Sequence, residues 1–119
     1  MLKNNIKRYL ILTAVLLVSC TAYSYAQEAE LLELLRSDAT RQDKSAACRQ
    51  LARIATVESV PTLAELLGDE ELSHMARYAL EGIRDPSVDA ALRDALGKVQ
   101  GRPLLGVIGS IGVRRDAEA

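Results

Sequence analysis

A pattern of aliphatic residues recurs along this chain at intervals of about 29 residues. The recurring positions are Leu51, Ile54, Leu63 and Leu67, then Leu80, Ile83, Leu92 and Leu96, and finally Ile108 and Ile111. A repeat of this length encodes a supersecondary unit that cannot bury its own apolar face, so neighbouring units must stack to form a continuous core. The pattern therefore predicts an all-α fold, a short right-handed α-solenoid built of helical hairpins.

The first 26 residues are predicted to be a secretory signal rather than part of the fold. Lys3, Lys7 and Arg8 precede an apolar run at residues 9–18, and small residues follow it, which is the usual order of a signal peptide. A run of about ten residues is too short to span a bilayer, for which about 20 apolar residues are needed. We therefore expect a protein exported from a bacterial cell to the periplasm or the exterior.

Two cleavage sites compete at the end of this leader. Ser24 and Ala26 form a small-x-small site before Gln27, and cleavage there releases a soluble exported protein. Alternatively, residues 17–20 resemble the bacterial lipobox, in which Cys20 is lipidated and becomes the first residue of a membrane-anchored lipoprotein. The sequence leaves both open, and in either case contact with a membrane is expected only through the signal peptide or the lipid anchor.

Removing residues 1–26 changes the composition of the chain that folds. It leaves 12 basic against 16 acidic residues, a formal charge of about −4, which argues against nucleic acid as a partner because nucleic-acid affinity depends on neutralising phosphates. Tyr78 becomes the only aromatic residue, so the core is expected to be aliphatic. Cys48 becomes the only cysteine, which excludes an intramolecular disulfide in that form.

The pattern divides the remaining chain into four segments. Residues 27–42 are predicted to form a capping helix and a linker, and residues 43–68 and 69–100 two complete hairpins. Asp43 is the predicted cap of the first hairpin helix. The last segment, residues 101–119, has only the first helix of a third hairpin, so this repeat is incomplete.

The incomplete third repeat predicts an uncovered apolar face between Leu104 and Val113. Gly106, Gly109 and Gly112 recur through this helix, and glycine costs roughly 1 kcal/mol in helix propensity relative to alanine, which suggests that a neighbouring helix approaches closely here. We expect the neighbour to be the next repeat of a longer chain. A second copy, through self-association of the last helix, and a partner protein are the alternatives.

Four short motifs give the chain a resemblance to a known family. They are Val60-Pro61-Thr62-Leu63, Met75-Ala76-Arg77-Tyr78-Ala79-Leu80, Asp85-Pro86 and Ile108-Gly109-Ser110-Ile111-Gly112. With these motifs the chain resembles the HEAT repeats, especially the short variety first described in phycobilisome lyases. The resemblance implies a HEAT-like superhelix that serves as a scaffold or an interaction surface.

The residues that most often carry chemistry are sparse. His74 is the only histidine and lacks the second histidine of a helical zinc motif, so we interpret it as a surface residue. Cys48 is interpreted as a small packing residue rather than a nucleophile. We expect no catalytic, cofactor-binding or metal-binding residues, and no cofactor.

The preferred hypothesis is a non-catalytic, exported scaffold that binds a protein whose identity the sequence does not specify. The second helices of the two hairpins, residues 61–67 and 88–96, and the last helix are the predicted recognition surface. Its candidate residues are Pro61, Glu65, Val88, Arg93, Leu104, Gly106, Gly109 and Gly112.

Three other interpretations stay open. The chain is alternatively the N-terminal part or a subunit of a larger exported enzyme, or a lyase-like protein that handles a tetrapyrrole. A basic ridge of arginines is a further candidate, for anions or acidic peptides, although interleaved acidic residues favour an ordinary mixed-charge surface. The arginines of this ridge are Arg49, Arg53, Arg77, Arg84, Arg114 and Arg115.

Overall fold

The computed structural model describes residues 2–119 as six α-helices, and no strand occurs in that range. The helices are α1 (Leu2–Arg36), α2 (Arg41–Ile54), α3 (Val60–Glu65), α4 (Ser73–Glu81), α5 (Pro86–Leu96) and α6 (Gly101–Arg114). Short 3₁₀ turns precede and follow α3, at Val57–Ser59 and Leu66–Gly68. The predicted all-α fold is confirmed.

The helices pack in two layers. In the first layer α4 lies between α2 and α6, and the end of α1 covers the other side of α2. In the second layer α3 packs against α5, and each of these helices also contacts the next helix of the first layer. The order α2–α3 and α4–α5 gives two helical hairpins, followed by α6, which has no second helix among residues 2–119.

Side-chain caps begin two of these helices. Asp85 accepts a hydrogen bond from Ser87 N at 2.8 Å, and Pro86 follows it as the first residue of α5, a position that suits proline. The predicted position of the α2 cap is wrong by three residues. Thr40 is its cap and accepts from Asp43 N at 3.1 Å. Asp43 instead lies in the first turn, where its carboxylate accepts the Thr40 hydroxyl at 2.7 Å and is stabilised by the helix dipole.

The core is aliphatic, as predicted. Its largest fully buried side chains are Leu51, Leu63, Leu67, Leu80 and Leu92, which are five of the recurring positions. Tyr78 is exposed at the surface of α4. Because burial of apolar side chains is the main favourable contribution to folding, these leucines explain why the repeat pattern is visible in the sequence.

The leader and the predicted capping helix form one continuous helix, α1. Residues 2–23 are all exposed, and burial begins at Glu28. By length and composition α1 is able to cross a membrane, a property that it shares with signal sequences near an N-terminus. The apolar stretch of α1 thus extends beyond residues 9–18, and its length suits a membrane span as well as a signal sequence. The predicted boundary at residue 26 lies within this helix, two residues before burial begins.

Glu28 joins α1 to the first hairpin through a buried carboxylate, which is 3% exposed. It accepts hydrogen bonds from Thr56 N at 2.8 Å, from the Thr56 hydroxyl at 3.0 Å and from the Ser59 hydroxyl at 2.5 Å. Thr56 caps the 3₁₀ turn that leads into α3, and Ser59 is its last residue. The carboxylate thus satisfies the donors of this turn, which lies 28 residues or more away in the chain.

Candidate interaction surfaces

A groove of about 410 Å³ runs between the second helices of the two hairpins, α3 and α5. Its apolar walls are formed mainly by Pro61, Ala64, Ala91, Ala95 and Val99. Glu65, Asp94 and Lys98 add charge to its edge. Lys98 is paired with Asp94 at 2.6 Å, whereas Glu65 has no ion-pair partner among residues 2–119. The alanines leave room for the backbone of another segment to approach closely.

The structure changes the predicted surface of α5. Val88 is fully buried in the core, so its assignment to an interaction surface is wrong, because it lies on the face of α5 that packs inward with Leu92. Arg93 is partly exposed, and its guanidinium is paired with Asp116 at 2.7 Å and Glu118 at 3.4 Å. Arg93 therefore holds the C-terminal residues against α5.

The predicted α6 residues are divided between two sides of that helix. Leu104 is half-buried against the core, and Gly106 is partly covered by the guanidinium of Arg77, so both are less accessible than the other predicted α6 residues. A Cβ added at Gly109 or Gly112 would meet no atom within 4 Å. These two glycines lie on the side of α6 that no other part of residues 2–119 covers.

Large apolar side chains surround the two open glycines. Leu105 is 71% exposed, Ile108 52% and Val113 69%. Together with Gly109 and Gly112 they follow the i, i+3, i+4, i+7, i+8 spacing of a single helical stripe, which we call the α6 face. Ile108 lies in this face, although it is the recurring position that corresponds to the fully buried Leu51 and Leu80. The absence of a second helix after α6 within the described range explains the difference.

The opposite side of α6 packs on the core, where Val107 is fully buried, and also makes polar contacts with α4. The Arg77 guanidinium donates to Gly106 O at 3.1 Å, and the Ser110 hydroxyl donates to Glu81 Oε1 at 2.6 Å. The guanidinium occupies the volume that a side chain at position 106 would need. Gly106 therefore leaves room for a side chain to approach α6 closely, whereas the sequence suggested close approach of a helix.

A second set of polar contacts holds the end of α6. Arg114 Nε donates to Asp89 Oδ1 at 2.5 Å, and its Nη atoms donate to Ile83 O at 2.9 Å and Asp85 O at 3.2 Å. The hydrogen bond from Arg114 and its positive charge lower the pKa of Asp89. Because the guanidinium groups of Arg77 and Arg114 bind backbone carbonyls within the fold, these two arginines do not contribute to the candidate basic ridge.

We expect acid to weaken the attachment of α6. The pKa of Asp89 is lower in the folded protein than in the unfolded chain, so the pair stabilises the fold above about pH 4. This contribution is lost as the pH falls below 4 through the folded pKa. Asp89→Asn should lower the free energy of unfolding at pH 7 by about 1–2 kcal/mol and flatten its dependence on pH below 4. Urea unfolding from pH 2.5 to 7 measures both effects, and unchanged acid sensitivity would contradict the assignment.

Cys48 is fully buried in α2, and desolvation raises its pKa to about 11. A thiol that is both inaccessible and protonated at neutral pH is a poor nucleophile, which agrees with its interpretation as a packing residue. We expect iodoacetamide to leave Cys48 unmodified at pH 7.5 in native buffer and to alkylate it fully in 6 M guanidinium. Mass spectrometry measures the modified fraction, and rapid native alkylation would show that the thiol is reactive.

The described residues offer little for catalysis or metal binding. His74 is exposed on α4. No group of three or more histidine, cysteine, aspartate or glutamate residues within 2–119 is arranged to hold a metal ion. The features that stand out are therefore the α3–α5 groove and the α6 face, both of which are surfaces for contact.

Stacked hairpins with a continuous leucine core define the class of α-helical repeat proteins. A family model of HEAT repeats matches residues 28–104, and the chain belongs to the HEAT-repeat family. HEAT repeats generally mediate protein–protein interaction. Comparison with curated proteins gave no match, and comparison with solved structures gave none either. The closer likeness to the short repeats of phycobilisome lyases stays a prediction.

Proposed function

We propose that this protein is a non-catalytic scaffold that binds a partner protein through the α3–α5 groove. The observation that carries this proposal is the groove itself, which combines small apolar walls with an unpaired carboxylate, Glu65, at its edge. Such a surface suits a helix or an extended segment whose apolar side chains enter the groove while a basic residue meets Glu65. The partner is expected to be a protein, in keeping with the general role of HEAT repeats.

Two matched substitutions on α5 test the groove. Ala91 lines it, whereas Ala90 is exposed on the same helix and is not among the residues that line it. Ala91→Leu should fill the groove, and Ala90→Leu adds the same volume outside it. The exported protein is immobilised and exposed to the exported proteins of its own cell. We expect the wild type and Ala90→Leu to retain the same proteins and Ala91→Leu to lose them, and equal retention by all three would refute the proposal.

We further propose that the protein is exported and acts in the periplasm or outside the cell. The exposed, apolar first part of α1 supports a signal peptide, and the onset of burial at Glu28 supports cleavage before Gln27. The intact mass of the exported protein tests this assignment. A chain that begins at Gln27 without added mass supports the soluble form, and a chain that begins at a lipidated Cys20 supports the lipoprotein.

The last helix adds a second contact surface to the proposed scaffold. Self-association through α6 and a role as part of a larger exported enzyme remain predictions, as does handling of a tetrapyrrole. Sedimentation velocity of the exported protein measures self-association. An unchanged absorption spectrum after addition of bilin or haem would contradict tetrapyrrole binding.

A further inference from the structure

We infer that the α6 face binds one α-helix of a partner protein, an amphipathic helix with acidic residues near its ends. The site consists of the three exposed side chains Leu105, Ile108 and Val113, and of the open backbone at Gly109 and Gly112. The inference extends the proposed role in protein interaction to a second surface. It is tested independently of the α3–α5 groove.

The stacking of α6 on α4 shows what this face would accept. Residues of α4 correspond to residues of α6 at a spacing of 28, as Leu80 does to Ile108. By this spacing Leu105 and Gly109 correspond to Arg77 and Glu81, which are the α4 side chains that bind α6. The α6 face therefore corresponds to the side of α4 on which α6 packs. On α6, however, this side is apolar.

The shape of the face favours a helix over a loop. Leu105 and Ile108 lie in the N-terminal part of the α6 face, and Gly109 and Gly112 follow them. Because a Cβ at either glycine would contact nothing, a partner backbone can approach α6 more closely there than at an alanine. Ridges of Leu, Ile or Val on a partner helix would fill this space, as in ordinary ridges-into-grooves packing.

Charge selects against a second copy as the occupant. Arg102 and Arg115 are exposed at the two ends of α6, and neither has an ion-pair partner among residues 2–119. A parallel pair of α6 helices would place Arg102 against Arg102, and an antiparallel pair centred on Gly109 would place Arg102 close to Arg115. Like charges oppose both arrangements. Carboxylates near both ends of a partner helix would neutralise the two arginines.

A peptide library tests the inference. A phage-displayed library of 14-residue, helix-stabilised peptides is selected against the exported protein, and the enriched peptides are titrated by fluorescence anisotropy. We expect sequences with Leu, Ile or Val at i, i+3 or i+4, and i+7, and with Asp or Glu in their first or last turn. Leu105→Glu should weaken their binding by at least about tenfold, as loss of a central apolar contact does.

Three controls make the result specific. Leu105 is largely exposed, so Leu105→Glu should keep the melting temperature of the wild type, and Ala91→Leu should keep the affinity for the peptides. Arg102→Glu should shift the preference toward peptides with a basic end. Enriched peptides that bind Leu105→Glu as well as the wild type would overturn the inference. So would the recovery of no helical consensus, a dimer in sedimentation velocity that Leu105→Glu dissociates, or a longer natural chain whose next helix covers the α6 face.

Discussion

Leu80→Ala should lower the free energy of unfolding by about 3 kcal/mol, as the loss of a fully buried leucine does in other cores. Leu80 has no exposed surface and lies on α4, the helix between α2 and α6. Its truncation leaves a cavity that neighbours cannot fill, because both adjacent helices are themselves held by the same core. Urea unfolding followed by circular dichroism at 222 nm measures the change.

Ile108→Ala is the matched control for this substitution. Ile108 occupies the corresponding position one repeat later, and it is half-exposed on α6. We expect its truncation to cost no more than about 0.5 kcal/mol, the usual range for surface substitutions. Equal losses for the two variants would mean that the α6 face is covered in solution. The comparison of the two variants therefore tests whether the α6 face is exposed, and it does not require the partner to be known.

Glu28→Ala should lower the free energy of unfolding by about 2–3 kcal/mol, which is the cost of leaving buried donors without an acceptor. The substitution removes the only carboxylate that accepts from Thr56 N and from the hydroxyls of Thr56 and Ser59. Water cannot easily replace it, because Ser59 is fully buried. Urea unfolding of the purified protein measures the loss.

Glu30→Ala removes an exposed glutamate from the same helix and serves as its control. We expect its unfolding curve to overlay that of the wild type within about 0.5 kcal/mol. Glu28→Gln keeps one oxygen acceptor and should retain part of the stability. A Glu28→Ala protein as stable as Glu30→Ala would show that α1 does not complete the fold.

Much of the fold could be predicted from the sequence because its causes are local and periodic. The 29-residue spacing identifies Leu51 and Leu80 as equivalent core positions, and the Asp85-Pro86 pair marks a helix start by its own chemistry. These signals depend on neighbours within one or two helical turns. The same reasoning identified the last helix as the place where the apolar surface lacks cover.

The parts that were missed depend on contacts between distant residues. Nothing near Glu28 distinguishes it from Glu30, because its partners are Thr56 and Ser59 in the first hairpin. The burial of Val88 and the cover over Gly106 have a similar origin. Each depends on the rotation of a helix about its axis, which a periodic pattern fixes only to within a residue. That uncertainty is enough to exchange an exposed position for a buried one.

The polar contacts of α6 also affect how the stacked helices unfold. Leu51, Leu63 and Leu80 hold the first hairpins by the hydrophobic effect, which sulfate strengthens, whereas Arg77, Arg114 and their acceptors depend on charges that salt screens. Salt should thus weaken the polar part of the α6 attachment, while sulfate strengthens the core that includes Val107. Amide hydrogen exchange would then show α6 fraying as a unit of its own while the remaining helices unfold cooperatively.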